Sequence, residues 1–148
     1  MTVSVFSAAK HLAMRSGWSL SNLKIQKLLY LAHMFYMGRT EGEPLLDGYF
    51  EAWDYGPVNP DLYHLLKVYG ASPVRNIFRS HEDIPNSKDE AKILDEIYAA
   101  LGNTTAGKLV AATHRRDGAW EKNYEVGKRG IIIPNSDILQ EYRDMFSQ

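Results

Sequence analysis

The run Glu51-Ala52-Trp53-Asp54-Tyr55-Gly56-Pro57-Val58 interleaves carboxylates with large aromatics and closes on a Gly-Pro turn. Such a mixture sets hydrogen-bond acceptors beside apolar surface, the combination that recognition sites use. The plainer alternative is that Trp53 and Tyr55 pack under a hairpin while Glu51 and Asp54 bond locally or face water. A second segment, Thr113-His114-Arg115-Arg116-Asp117-Gly118-Ala119-Trp120, runs from a helix end into a tight turn. His114 could serve there as a general base, with Glu51 as its carboxylate, given a substrate pocket. It could equally do no more than favour the helix dipole, and Asp117-Gly118 is an ordinary turn signal. Third, Gln26, Tyr30 and His33 recur at i, i+4 and i+7 on one side of the most hydrophobic helix. They form a candidate buried polar line that would fix how this helix meets the Glu51–Tyr55 strand. Lys24 and Lys27, near the start of the same helix, read as solvated.

Other chemistries lack their signatures. The chain has no cysteine, its five histidines show no His-x3-His or His-Glu-x-x-His spacing, and neither a phosphate-binding Gly-x4-Gly-Lys loop nor a Gly-x-Ser-x-Gly elbow occurs. No metal and no cofactor are expected. Between Thr105 and Gly130 six basic residues face three acidic ones, an excess too mild to imply nucleic acid.

The elements that must hold these residues are mostly helical. A first amphipathic helix is expected over residues 4–16, and a central one from a Ser21 cap to Gly38, through Ile25, Leu28, Leu29, Ala32, Phe35 and Tyr36. Asp47-Gly48, between Leu45-Leu46 and Tyr49–Trp53, predicts the turn of a small hairpin, with Tyr49, Glu51, Trp53 and Tyr55 on one face. Asn59-Pro60-Asp61 starts a helix that Gly70 stops. Ser87-Lys88-Asp89-Glu90 has capping-box spacing before a helix ending at Gly102. Thr104 or Thr105 starts another, Gly118 and Gly127 bracket a short aromatic segment, Ile131–Ile133 suggests a brief strand, and Ser136 caps a last helix. The expected fold is mainly α (α+β): a compact bundle of about six to seven helices around a central hydrophobic helix, with a small β-hairpin or short sheet.

Composition bounds the class. In 148 residues, 45% are hydrophobic and 24% charged, with 17 Lys plus Arg against 18 Asp plus Glu. One domain of this size buries roughly 70% of its unfolded surface and needs no staple. A charge near zero does not suit bulk attraction to nucleic acid or membranes, and Lys10 and His11 interrupt the apolar N-terminus before a spanning segment is complete. A single domain over residues 1–148 in the cytoplasm is the expectation.

The stretch Leu23-Lys24-Ile25-Gln26-Lys27-Leu28-Leu29-Tyr30-Leu31-Ala32-His33, then Glu51 to Val58, then Tyr63, resembles the Panacea domain, the SocA-like antitoxin family also known as phage-associated protein. The Thr113-His114 pair shortly before Trp120 looks like that family's third landmark, and the resemblance covers essentially the whole chain. It implies a non-enzymatic antitoxin of a bacterial or prophage toxin-antitoxin system, binding its cognate toxin directly. An alternative it carries is an adaptor delivering the toxin to a Clp-type protease or chaperone; a cryptic enzyme using His114 and Glu51 is a third possibility. The positions carried over are Gln26, Lys27, Tyr30, Glu51, Trp53, Tyr55, Gly56, Pro57, His114 and Trp120. Glu51, Trp53, Tyr55, Gly56, Pro57, Tyr63, His114 and Trp120 are the toxin-binding or motif candidates, and Gln26, Lys27, Tyr30 and His33 the structural ones. Arg115 to Ala119 departs from the family pattern, which often has a proline before the Trp, and no separate DNA-binding domain is attached, so self-regulation of transcription is not expected.

Overall fold

The computed structural model describes residues 2–147. In chain order these form α1 (Val5–Arg15), α2 (Asn22–Arg39), β1 (Phe50–Trp53), β2 (Gly56–Val58), α3 (Pro60–Leu66) with a 3-10 turn (Lys67–Tyr69), α4 (Asp89–Leu101), α5 (Ala106–Thr113), α6 (Ala119–Asn123), β3 (Ile132–Ile133) and α7 (Asn135–Phe146). The fold is mainly α with one small antiparallel sheet in the order β2-β1-β3.

α2 is the axis. Ser21 Oγ accepts from Lys24 N as its N-cap, and apolar residues on several sides let α1, α3, α4, α5, α7 and β2 all pack against it. It is therefore buried along nearly its whole length. Gly38 does not end it. The helix continues to Arg39 and closes when Thr40 Oγ1 donates to Tyr36 O at 2.7 Å. Gly38 is instead where the ring of Tyr142 lies on the helix, and a Cβ there would collide with that ring. α3 begins as read, with Asn59 Oδ1 accepting from Leu62 N and Pro60 at the first helical position. Thr105 caps α5.

The hairpin turn lies elsewhere than expected. Leu45 and Leu46 do not zip onto β1, because they pair with the N-terminal strand segment: Val3 N donates to Leu45 O and Asp47 N to Val3 O. The tight turn is Asp54-Tyr55, joining β1 to β2 in the register Glu51 to Val58 and Trp53 to Gly56. Tyr55 thus leaves the face that Glu51 and Trp53 share. β3 forms where the Ile131–Ile133 run predicted a strand, pairing Ile132 with Glu51.

Two caps also differ. At α4 the N-cap is Lys88 and no side chain caps it; Glu90 points inward, accepting from Tyr36 OH at 3.2 Å, so it cannot reach back toward Ser87. α7 starts one residue before Ser136, with Pro134 O receiving Asp137 N, and Asn135 Oδ1 engaged by His33.

Candidate functional site

Each polar member of α2 finds a separate partner. Gln26 clamps the start of α3 twice, Nε2 donating to Asn59 O at 3.2 Å and Oε1 accepting from Asn59 N at 2.8 Å. Tyr30 OH donates to Glu141 Oε1 at 3.3 Å, and its ring meets Phe50 edge-on. His33 Nδ1 accepts from Leu46 N, which makes Nε2 the protonated nitrogen that faces Asn135 Oδ1 at 3.0 Å. Burial holds this imidazole below the ordinary histidine range, partly offset by the Asn135 bond. The polar line is therefore real, but it ties α2 to α3, α7 and the 45–46 segment; toward the Phe50–Trp53 strand it makes only ring contacts.

Lys27 is not solvated. It is fully buried, and its Nζ donates to Pro57 O at 2.9 Å, pinning β2 to α2. Burial lowers its pKa to about 7. An i, i+3 spacing from Lys24 places the two on different surroundings: Lys24 reaches Gly102 O at the molecule's rim, whereas the hairpin lies over Lys27.

The two motif segments meet at this hairpin. Gly56 has φ +113°, and a Cβ there would stand 2.8 Å from both Lys27 Cε and Thr113 Oγ1 and 3.4 Å from His114 Nε2. Only glycine lets β2 approach α2 and the end of α5 so closely. His114 stacks on Trp120 with ring centroids 3.6 Å apart, and Trp120 stacks in turn on Tyr124 at 4.5 Å. Trp120 Nε1 donates to Trp53 O at 2.7 Å, and Tyr124 OH to Asp54 Oδ1 at 2.6 Å. A stack of three rings thus buttresses the hairpin from below. His114 Nε2 is enclosed without a hydrogen-bond partner. Burial, then the adjacent Lys27 ammonium, holds its pKa below the ordinary value. No hydrogen bond or ion pair joins His114 to Glu51 among the described residues: Glu51 Oε1 is taken by Trp53 Nε1 at 2.9 Å.

What the hairpin offers outward is aromatic. Trp53 is only 8% exposed, with Tyr63 edge-on at 4.8 Å and the Arg129 guanidinium 4.2 Å above its ring. These residues, with Tyr55, Val58 and Leu23, line a groove of about 460 Å³. Tyr55 at the turn is 70% exposed; Tyr49 just before β1, Ile132 on β3 and Val126 in the loop before β3 also stand exposed. Trp120, also 8% exposed, is committed to holding the hairpin. Sequence reasoning missed Arg129 as part of this region and read Asn59 only as a helix cap; the Arg129 contact with Trp53 and the Gln26 clamp on Asn59 are long-range packing that no local spacing encodes.

No three His, Asp or Glu side chains converge as a metal-binding group among the described residues, and no described helix is long and apolar enough to cross a membrane.

A family model described as Antitoxin SocA-like, Panacea domain, matches residues 25–121. The chain is also similar to Antitoxin SocA of Caulobacter vibrioides (strain NA1000 / CB15N), with 32% identity over 111 residues, covering 69% of this chain and 58% of that protein. The chain thus spans a little over half the length of that curated relative. No solved structure matches it. Every motif residue from Gln26 to Trp120 lies inside the matched segment, whereas Arg129 and α7 lie outside it, and on that match the chain belongs to the Antitoxin SocA-like, Panacea domain family.

Proposed function

We propose that the chain is an antitoxin that neutralises a cognate toxin by direct protein binding, and that it is not an enzyme. Family membership supports the role, and the observation that carries the mode is the exposure of Tyr55 at the hairpin turn together with Ile132 on β3 of the same small sheet. Apolar side chains left in water at a rigidly braced turn are what a protein interface uses as anchors. Tyr55 is the leading anchor, because its side chain is exposed while its backbone is held by Gly56 and the ring stack behind it. Trp53, Trp120 and His114 act one layer deeper, in shaping the turn.

The test is co-expression with the toxin in cells. Tyr55→Ala should keep the parent circular dichroism and thermal midpoint, since almost nothing packs on the ring, yet rescue growth only at a dose roughly tenfold or more higher, the size of effect typical of an anchor residue. A folded Tyr55→Ala protein that rescues at the parent dose sinks the assignment of this face. Delivery to a protease would in addition shorten the toxin's half-life, which a chase measures; neutralisation with an unchanged half-life leaves occlusion alone.

A further inference from the structure

The groove beside the hairpin turn joins an aromatic floor to cations that have no anionic partner. Trp53 is oriented by Glu51, walled by Tyr63, and covered by Arg129. The ion pairs among the described residues are Lys10–Asp83, His11–Asp95, Arg15–Asp95, Arg39–Glu96 and Lys128–Glu125, so neither Arg129 nor Lys67 of the lining is paired. Lys67 Nζ has only His64 Nδ1 beside it, at 3.4 Å. The one carboxylate of the lining, Asp54, accepts from Tyr124 OH and pairs with neither cation. Two cations against one carboxylate leave the groove with an excess of positive charge around an apolar base.

Resting on the toxin-binding reading above, we infer that this groove takes an acidic segment of the partner protein, with an aliphatic or aromatic side chain seated against Tyr63 and Val58 and neighbouring Asp or Glu residues paired to Arg129 and Lys67. A guanidinium stacked by its face on an indole keeps its N–H groups free in its plane, so a carboxylate can be held bidentately without giving up the cation–π contact. A nucleobase fits less well. Arg129 lies over the Trp53 ring, Tyr63 packs against it, and with Trp53 only 8% exposed little indole surface is left for a base to stack on. Arg129 comes from outside the segment that the family model matches, as do Asn22 and Leu23, while the rest of the lining, from Gln26 to Ala71, lies inside it.

The experiment selects phage-displayed random peptides on the purified full chain, then measures resynthesised winners by fluorescence anisotropy. Expected are peptides that place Asp or Glu beside Leu, Phe or Trp, whose affinity falls roughly tenfold or more with Arg129→Glu, falls less with Arg129→Lys, and weakens with added salt. Replacing the acidic residues of a winner by Lys should restore binding to Arg129→Glu. Arg129 is exposed, and unchanged thermal melts of both variants show that the fold is kept. Winners without acidic residues, no winners at all, or equal binding by Arg129→Glu overturn the inference. So does competition by a single-stranded oligonucleotide or a concentration-dependent dimer that masks the groove. Failure of the parent chain to rescue cells would instead strike the toxin-binding reading, and that result is read separately from the peptide preference.

Discussion

At the scale of single residues, Lys27 is a costly feature of the fold. A fully buried ammonium with one carbonyl partner is taken far out of water, and its pKa drops from 10.5 to about 7. The unfolded chain holds this proton up to the ordinary lysine range while the folded chain releases it near neutrality. Between those limits the unfolded state binds more protons, so Lys27 makes stability rise with pH from about 7 to about 10. Below about pH 7 its full penalty applies, up to about 5 kcal/mol. Lys27→Met keeps the packed stem and removes the charge. It should therefore be the more stable protein at about pH 6, by a few kcal/mol, with the difference closing toward about pH 9. Urea midpoints of both proteins across that range measure it, and parallel pH curves would show that the amine is not desolvated as the structure has it. The amine's contribution is positional: it fixes Pro57, and with it the turn that carries Tyr55. A stabilised Lys27→Met protein that loses rescue would mark Lys27 as a positioning residue.

At the scale of elements, the five-residue α6 is far too short to persist alone, yet it carries Trp120 to the back of the hairpin. α7 holds it. Glu141 Oε1 accepts from Ala119 N at 2.8 Å, at the start of α6, and from Tyr30 OH on α2. Burial raises the carboxyl pKa, opposed first by the Ala119 N–H and then by Tyr30. Glu141→Leu leaves both donors unpaired in a dry site and should cost about 2–5 kcal/mol, whereas Glu141→Gln keeps an acceptor and should cost less. Hydrogen exchange resolves the outcome: amides of Ala119 to Asn123 should lose protection in Glu141→Leu before those of α2 do, and equal protection would mean that α6 is held by packing alone. Such links explain what could be read in advance. α2, α3 and α5 were legible because their caps and apolar spacing are local, and Ser21, Asn59 and Thr105 all cap as their types suggest. Asp47-Gly48 misled because Val3 competes for Leu45 from across the chain, and the capping box failed because Tyr36 claims Glu90. For the candidate site, the motif segments were visible but their layering was not. Which aromatic is outermost depends on Arg129, Tyr63 and the Lys27 contact, all brought in by tertiary packing.

At the scale of the whole molecule, packing on α2 extends beyond the segment the family model matches. That segment opens at Ile25, after the Ser21 cap and the first turn of α2, and closes inside α6. Outside it lie α1, which buries Val5, Ala8, Ala9, Leu12 and Ala13, and α7, which supplies Ile138, Glu141, the Asn135 partner of His33 and the Tyr142 ring against Gly38. Val5, Leu12 and Ile138 alone each contribute about 1.5–3 kcal/mol by burial, against a net stability of about 5–15 kcal/mol for a domain. Removing both helices also leaves α2, apolar on nearly every side, facing water along two flanks. A fragment of residues 25–121 should therefore lack a cooperative thermal transition and dispersed amide resonances, while residues 2–147 show both. If the fragment melts cooperatively, then α1, β3 and α7 are accessories laid on a core that stands without them, and the hairpin with its His114–Trp120 pair owes its geometry to α2, α5 and the start of α6.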